Sequence, residues 1–204
     1  MGRREEISTM KLLTFVDVHG DTKAVDRLVN LAKKEKPDFL VCAGDISEFG
    51  ENLKFLLECF KGFNLIIIPG NHEDENHLKE LCEKLGFIYL HKGCYEFNEY
   101  KFFGYGSGGF CKTDCRFESL AKKFKKLIKP GDKTILVTHA PPYGTNLDDI
   151  CNEHMGCKSY TKFIKEAKIH LCICGHLHET SGNIDNIGKS TVINPGKHGR
   201  IITI

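Results

Sequence analysis

Five short segments combine carboxylate, amide and imidazole side chains with glycine: Asp17-Val18-His19, Gly44-Asp45, Gly70-Asn71-His72-Glu73, Thr138-His139 and Gly175-His176-Leu177-His178. Oxygen and imidazole donors in this mixture suit divalent ions of intermediate hardness, such as manganese, iron, nickel or zinc. The glycines let the backbone turn sharply beside them. Each piece alone is ordinary, since an Asp-x-His pair commonly sits on a surface and a Gly-Asp pair is a turn. The conjunction is not ordinary. Five of the ten histidines fall in these segments, and each segment follows an apolar run. The pattern points to one metal site assembled on folding from loops distant in sequence.

The apolar runs define the elements that must position these residues. Residues 10–18 read as a strand, and Asp21 reads as a helix N-cap. Val25, Leu28, Val29 and Ala32 recur at helical spacing through residues 22–35, and Pro37 closes that unit. Strands follow at 38–43 and 64–68, with helices at 51–60 and 77–85. This β-α alternation predicts an open sheet with helices packed on it, and such sheets bind ligands at the carboxyl ends of their strands. The middle of the chain predicts short strands at 87–90, 94–97 and 101–105. The glycine-rich stretch 104–110 lacks the Lys-Ser/Thr ending of a phosphate loop and reads as a hairpin turn. A helix at 117–128 precedes a strand at 133–138, and a helix at 159–167 precedes a strand at 169–174. Closing strands at 190–193 and 199–204 flank Asn194-Pro195-Gly196. No repeat, low-complexity segment or linker interrupts the chain, so residues 1–204 read as one domain.

Composition bounds the partners. The 204 residues are 41% hydrophobic and 27% charged, with a net charge of +2. That balance points to no nucleic-acid or membrane partner. No apolar run approaches the roughly 20 residues needed to span a bilayer. The N-terminal stretch lacks a signal-peptide core, and Glu6 stands where an acylation signal has Ser or Thr. The expectation is a cytoplasmic protein whose ten cysteines are reduced, several of them within apolar runs. Cys111, Cys115, Cys151 and Cys157 lie in polar loops without a zinc-knuckle spacing. His154 reads as an exposed loop residue bordering the site, and His77, His91, His170 and His198 as surface or partly buried. Lys122, Lys123, Lys125 and Lys126 read as the solvent face of a helix.

The ordered motif set, running from Met10 to Asn194-Pro195-Gly196, resembles the calcineurin-like metallophosphoesterases. The resemblance implies an α/β fold, a four-layer α/β/β/α sandwich with a dinuclear metal site at the strand ends. It assigns Asp17, His19 and His178 to one metal, Asn71, His139 and His176 to a second, and Asp45 to the bridge between them. It implies a metal-activated hydroxide as nucleophile and His72 as general acid, with manganese the favoured metal. The family's GDxxDR motif reads here Gly44-Asp45-Ile46-Ser47-Glu48-Phe49. Glu48 takes the place of the Asp that orients the histidine, and the Arg is absent. Together with His139-Ala140-Pro141-Pro142-Tyr143-Gly144, this resembles the small phosphodiesterase-like branch. The implied substrate is a small phosphoester or nucleotide-like molecule, diester or monoester, without a stable nucleic-acid complex. Electrostatics agrees: two divalent ions set against two carboxylates leave a positive site that attracts phosphate and acidifies bound water. Two alternatives are a non-catalytic protein-binding scaffold, which would have lost ligands or His72, and a nuclease, which would carry a capping domain for which the chain has little room.

Overall fold

A computed structural model of the chain describes residues 9–204. The reading that the N-terminus carries no export or acylation signal rests mainly on residues 1–8, which lie outside the described ones. Apolar runs and helical stripes alternate as expected through β1 (Lys11–Phe15), α1 (Thr22–Glu35), β2 (Phe39–Cys42), α2 (Leu53–Glu58), β3 (Leu65–Ile67), α3 (Glu75–Leu85) and β4 (Ile88–Tyr89). Next come β5 (Cys94–Phe97), β6 (Tyr100–Tyr105), α4 (Cys115–Leu127) and β7 (Lys133–Thr138). A small hairpin, β8 (Asp149–Ile150) and β9 (Glu153–His154), leads to α5 (Lys158–Ala167) and β10 (Leu171–Ile173). The chain closes with β11 (Ile184–Ile187), β12 (Ser190–Ile193) and β13 (Arg200–Thr203).

Two sheets result. The first has the order β13-β1-β2-β3-β4, parallel except at β13. The second has the order β11-β12-β10-β7-β6-β5, parallel inside with antiparallel edges. Alternate side chains of each strand explain how these stack, because successive residues point to opposite faces. Leu13, Phe15, Leu40, Cys42, Leu65 and Ile67 pack with α1, α2 and α3. Their neighbours Leu12, Val41 and Ile66 meet Phe102, Ile135, Val137, Leu171 and Ile173 of the second sheet. Phe103, Leu136 and Cys172 turn outward onto α4 and α5. The four layers α/β/β/α follow, and strands buried on both faces account for the nearly continuous apolar runs.

Three expectations are corrected. Helices α3 and α4 begin two residues earlier than periodicity indicated, because Asp74 and Asp114 cap them by accepting backbone N–H groups of residues 76–77 and 117. The stretch at 104–110 is no hairpin turn. Strand β6 pairs in parallel with β7, so the glycines cross from β6 toward α4. His91 is buried, and its Nδ1 accepts the Gly106 N–H at 2.8 Å, which ties down the start of that crossing. Edge strand β11 was missed because three of its four residues are not buried and leave no apolar run. Among the described residues, no helix is long and apolar enough to cross a membrane.

Candidate metal centre

The strand ends deliver the residues of the five segments to one place. Asp17, Asp45 and Asn71 follow β1, β2 and β3 of the first sheet, whereas His139 and His176 follow β7 and β10 of the second. His178 opens a short 3-10 turn, His178–Thr180. The turns are tight. Asp17, His19, Asp45 and His176 all have positive φ, between 47° and 70°, a conformation costly for residues with a Cβ and concentrated at functional sites. Gly70 passes so close to Asp45 that a Cβ there would collide with the carboxylate.

Three overlapping sets of donors lie within 4.8 Å of one another: Asp17 with His19 and His178, His19 with Asp45 and His72, and Asp45 with His139 and His176. The Asp45 Oδ2 atom is 3.6 Å from His19 Nε2 and 3.2 Å from His139 Nε2, so it stands between the outer sets. Asn71 joins through Oδ1, 2.9 Å from His139 Nε2. The structure thus brings together all seven expected ligands and His72. His77, His170 and His198 stand outside these sets, and His154 pairs with buried Asp148 at 2.9 Å.

The donor chemistry fits divalent cations. Asp17 Oδ1 and His176 Nε2 are buried and make no hydrogen bond among the described residues. His19 and His178 present their Nε2 atoms to each other at 3.1 Å, a convergence of nitrogens that a cation satisfies fully. His139 Nδ1 lies 3.0 Å from the Ala43 carbonyl, and donating its proton there leaves Nε2 free to be a ligand. Burial, reinforced by Asp45, pushes the Asp17 carboxyl up, even though His139 pulls it down. Burial opposes charge on Asp45, but the bond to His139, the charge of that ring and the contacts of His72 together outweigh this and lower its pKa. Burial works against charge on His139, but Asp45, Asp17 and the Ala43 carbonyl together raise its pKa. Burial and the neighbouring His139 lower His176 to about 4, keeping it neutral, as a ligand must be.

Two further residues organise the loops, and neither received a structural role from sequence. Buried Glu73 accepts the N–H groups of Asp45, Ser47 and Gly70 and the Ser47 hydroxyl, all at 2.9 Å. Its place directly after Asn71-His72 was visible, but the two loops it joins were not. Asn194 donates to the Leu177 carbonyl at 3.1 Å and accepts from Gly196 at 3.0 Å, fixing the loop that carries His176 and His178. A cleft of about 640 Å³ opens beside Asp17, His19, His72 and His178. A second, of about 600 Å³, lies over Asp45, Asn71 and His176 under an apolar wall of Phe110, Ile150, Met155 and Leu177. The crossing at 104–110 supplies Phe110, whose ring meets His176 edge-on at 4.8 Å.

This fold and site define a metal-dependent phosphoester hydrolase. The chain belongs to the calcineurin-like phosphoesterases, whose family model matches residues 10–180. An uncharacterized protein of Methanocaldococcus jannaschii is 32% identical over 204 residues, covering 93% of this chain and 89% of its own. A probable glycerophosphodiester phosphodiesterase of Arcobacter nitrofigilis is 26% identical, and the match covers 75% of this chain and 61% of that one. In fold, the chain is similar to a dimetal phosphatase from Danio rerio with a TM-score of 0.64 at 12% identity, covering 95% of this chain and 91% of that one.

Proposed function

We propose that this chain, acting as one domain, is a two-metal phosphodiesterase that hydrolyses small or nucleotide-like phosphodiesters, with His72 as the general acid. The observation that carries this reading is the position of Asp45 Oδ2, within 3.6 Å of donors from both outer sets. Asp17, His19 and His178 would hold one ion, Asn71, His139 and His176 the other, and Asp45 both. The mixed oxygen and imidazole donors suit manganese, which we favour, as well as iron, nickel or zinc. When bound, the ions supply positive charge for the phosphate and a nucleophile from water near neutral pH.

The chain's own residues carry the remaining work. His72 donates a proton to the leaving oxygen. Glu48 brings a carboxylate oxygen to 3.3 Å from His72 Nδ1, close enough to attract a proton to the imidazole although no hydrogen bond joins them. Glu73 holds the His72 loop against the Asp45 loop. The preference for diesters rests on charge. No lysine or arginine lines the second cleft, and the Lys197 of the first is held by Asp21 at 3.0 Å. A monoester brings an additional negative charge that this lining does not meet. Five cysteines buried as free thiols support a cytoplasmic setting.

The test is a metal-reconstituted assay comparing an aryl phosphodiester, the matching monoester and single-stranded DNA. The expected result is metal-dependent turnover with the diester preferred. Inactivity on all three with metals bound would overturn the reading in favour of a scaffold, and preference for DNA would make the chain a nuclease.

A further inference from the structure

Phe49 is difficult to explain by folding. Its side chain is 75% exposed, and its backbone has φ 47°. A bulky apolar residue in that region is unfavourable on both counts, and glycine would remove both costs. The ring has one partner among the aromatic contacts, the imidazole of His72. The two rings stack at 4.1 Å between centroids and 28° between planes.

The stack is built by the fold. Ser47 binds the Glu73 carboxylate through both its backbone N–H and its hydroxyl, and that hydroxyl also accepts the Gly50 N–H at 3.2 Å. Glu51 N–H closes the turn onto the Glu48 carbonyl at 2.9 Å. Phe49 therefore sits on a turn anchored to Glu73, the residue that directly follows His72. Both members of the stack hang from one buried carboxylate. The other contacts of His72 come from different directions. His19 meets the ring edge-on at 4.7 Å and 85°, and Glu48 approaches Nδ1 at 3.3 Å. Among the aromatic contacts of His72, Phe49 is the one stacked parallel on it, and a stacked face opposes rotation of the imidazole about its bond to Cβ.

We propose that Phe49 is a positioning residue for His72, holding its imidazole in the single orientation that places Nδ1 beside the Glu48 carboxylate and turns Nε2 to the cleft. Its kinetic consequence rests on the reading of His72 as the acid; its structural consequence does not. An acid that samples other ring orientations spends less time aligned with the leaving oxygen, and misplacement of a reacting group by about 1 Å can cost on the order of 10²-fold.

The experiment compares Phe49→Ala, Phe49→Tyr and His72→Ala in the metal-loaded protein. Phe49→Ala is expected to lower kcat by about 10-fold or more on a diester with a poor leaving group, within the range that acid catalysis contributes. KM should be nearly unchanged, and an activated aryl diester should be affected far less. Phe49→Tyr should restore the rate, since it restores the stacked face. Thermal stability should not fall, and Phe49→Ala added to His72→Ala should have no further effect, as expected for residues acting as one unit. A crystal structure or imidazole NMR spectra of Phe49→Ala should show His72 in more than one orientation. An unmoved, singly oriented His72 in that variant would overturn the proposal. So would a rise in KM with kcat kept, which would make Phe49 a substrate contact. If His72→Ala itself shows no dependence on leaving group, the acid reading fails, and the ring orientation in Phe49→Ala alone then decides the role of Phe49.

Discussion

The two oxygens of the Glu48 carboxylate serve two different histidines: Oε2 lies 2.9 Å from His19 Nδ1, and Oε1 lies 3.3 Å from His72 Nδ1. A proposed ligand and the proposed acid thus share one partner. Glu48→Gln removes the charge and turns one oxygen into a donor, so both histidines lose part of their support. Outer partners of ligating histidines are typically worth about 10–100-fold in metal affinity or activity. Metal titration and kcat should both weaken by that order. A variant with unchanged metal affinity would show that the contact with His19 is incidental.

Chelation should abolish activity, and about two divalent ions per chain should restore it, following the donor sets around Asp45. Asp45→Ala is expected to remove most bound metal or most activity, because its carboxylate faces both sets. His19→Ala should leave a weakened site. Elemental analysis alongside the assay checks both variants, and wild-type turnover by Asp45→Ala would exclude it as the bridge.

His72 separates an enzyme from a scaffold. His72→Ala should keep its metals yet lose about 10²–10⁴-fold in rate on diesters with poor leaving groups, and less on activated ones. Equal loss on both would point to substrate positioning instead.

Glu73 accepts four hydrogen bonds from the loops that carry Asp45 and Asn71. Glu73→Ala strands these buried donors. The expected cost is at least about 1–3 kcal/mol, the range for leaving a buried donor unsatisfied, since several lose their partner together. Chemical denaturation measures it, and a loss below about 1 kcal/mol would mean that water replaces the carboxylate.

Acid should destabilise the fold through His91. Burial lowers its pKa to about 4, outweighing the pull of nearby Glu75. The unfolded chain takes up this proton near the ordinary value of about 6.5, and the folded chain only near 4. The stability contributed by neutral His91 is therefore full above about pH 6.5 and is lost as the pH falls toward 4. Between pH 7 and 4.5, wild type should lose about 2 kcal/mol more than His91→Gln. Parallel slopes in denaturation curves across that window would contradict it.

The sequence made the strand ends legible because buried strands appear as apolar runs, and Asp17, Asp45, Asn71, His139 and His176 each follow one directly. The four layers were legible through resemblance, and the alternation of Leu12 with Leu13 or Ile135 with Leu136 gives their physical basis. Contacts between loops were not legible. Glu48 and His19 are separated by 29 residues, and nothing in either segment indicates which carboxylate oxygen meets which ring. The path of residues 104–110 was misjudged because glycine permits both a hairpin turn and a crossing, and the deciding anchors, His91 and the Pro69 carbonyl that accepts the Ser107 N–H at 2.8 Å, lie well upstream. His91 itself gave no signal, since a buried histidine with a backbone partner has the same flanking residues as an exposed one.

The proposed ligands divide between the two sheets, with Asp17, His19, Asp45 and Asn71 on one side and His139, His176 and His178 on the other. Elsewhere the sheets meet through an apolar face whose attraction is not directional. Bound ions would act as rivets at one end of this face, fixing how far the sheets can slide or splay. Metal loading would then set the breathing of the whole sandwich, and slow amide exchange would extend from the strand ends into the layer between the sheets.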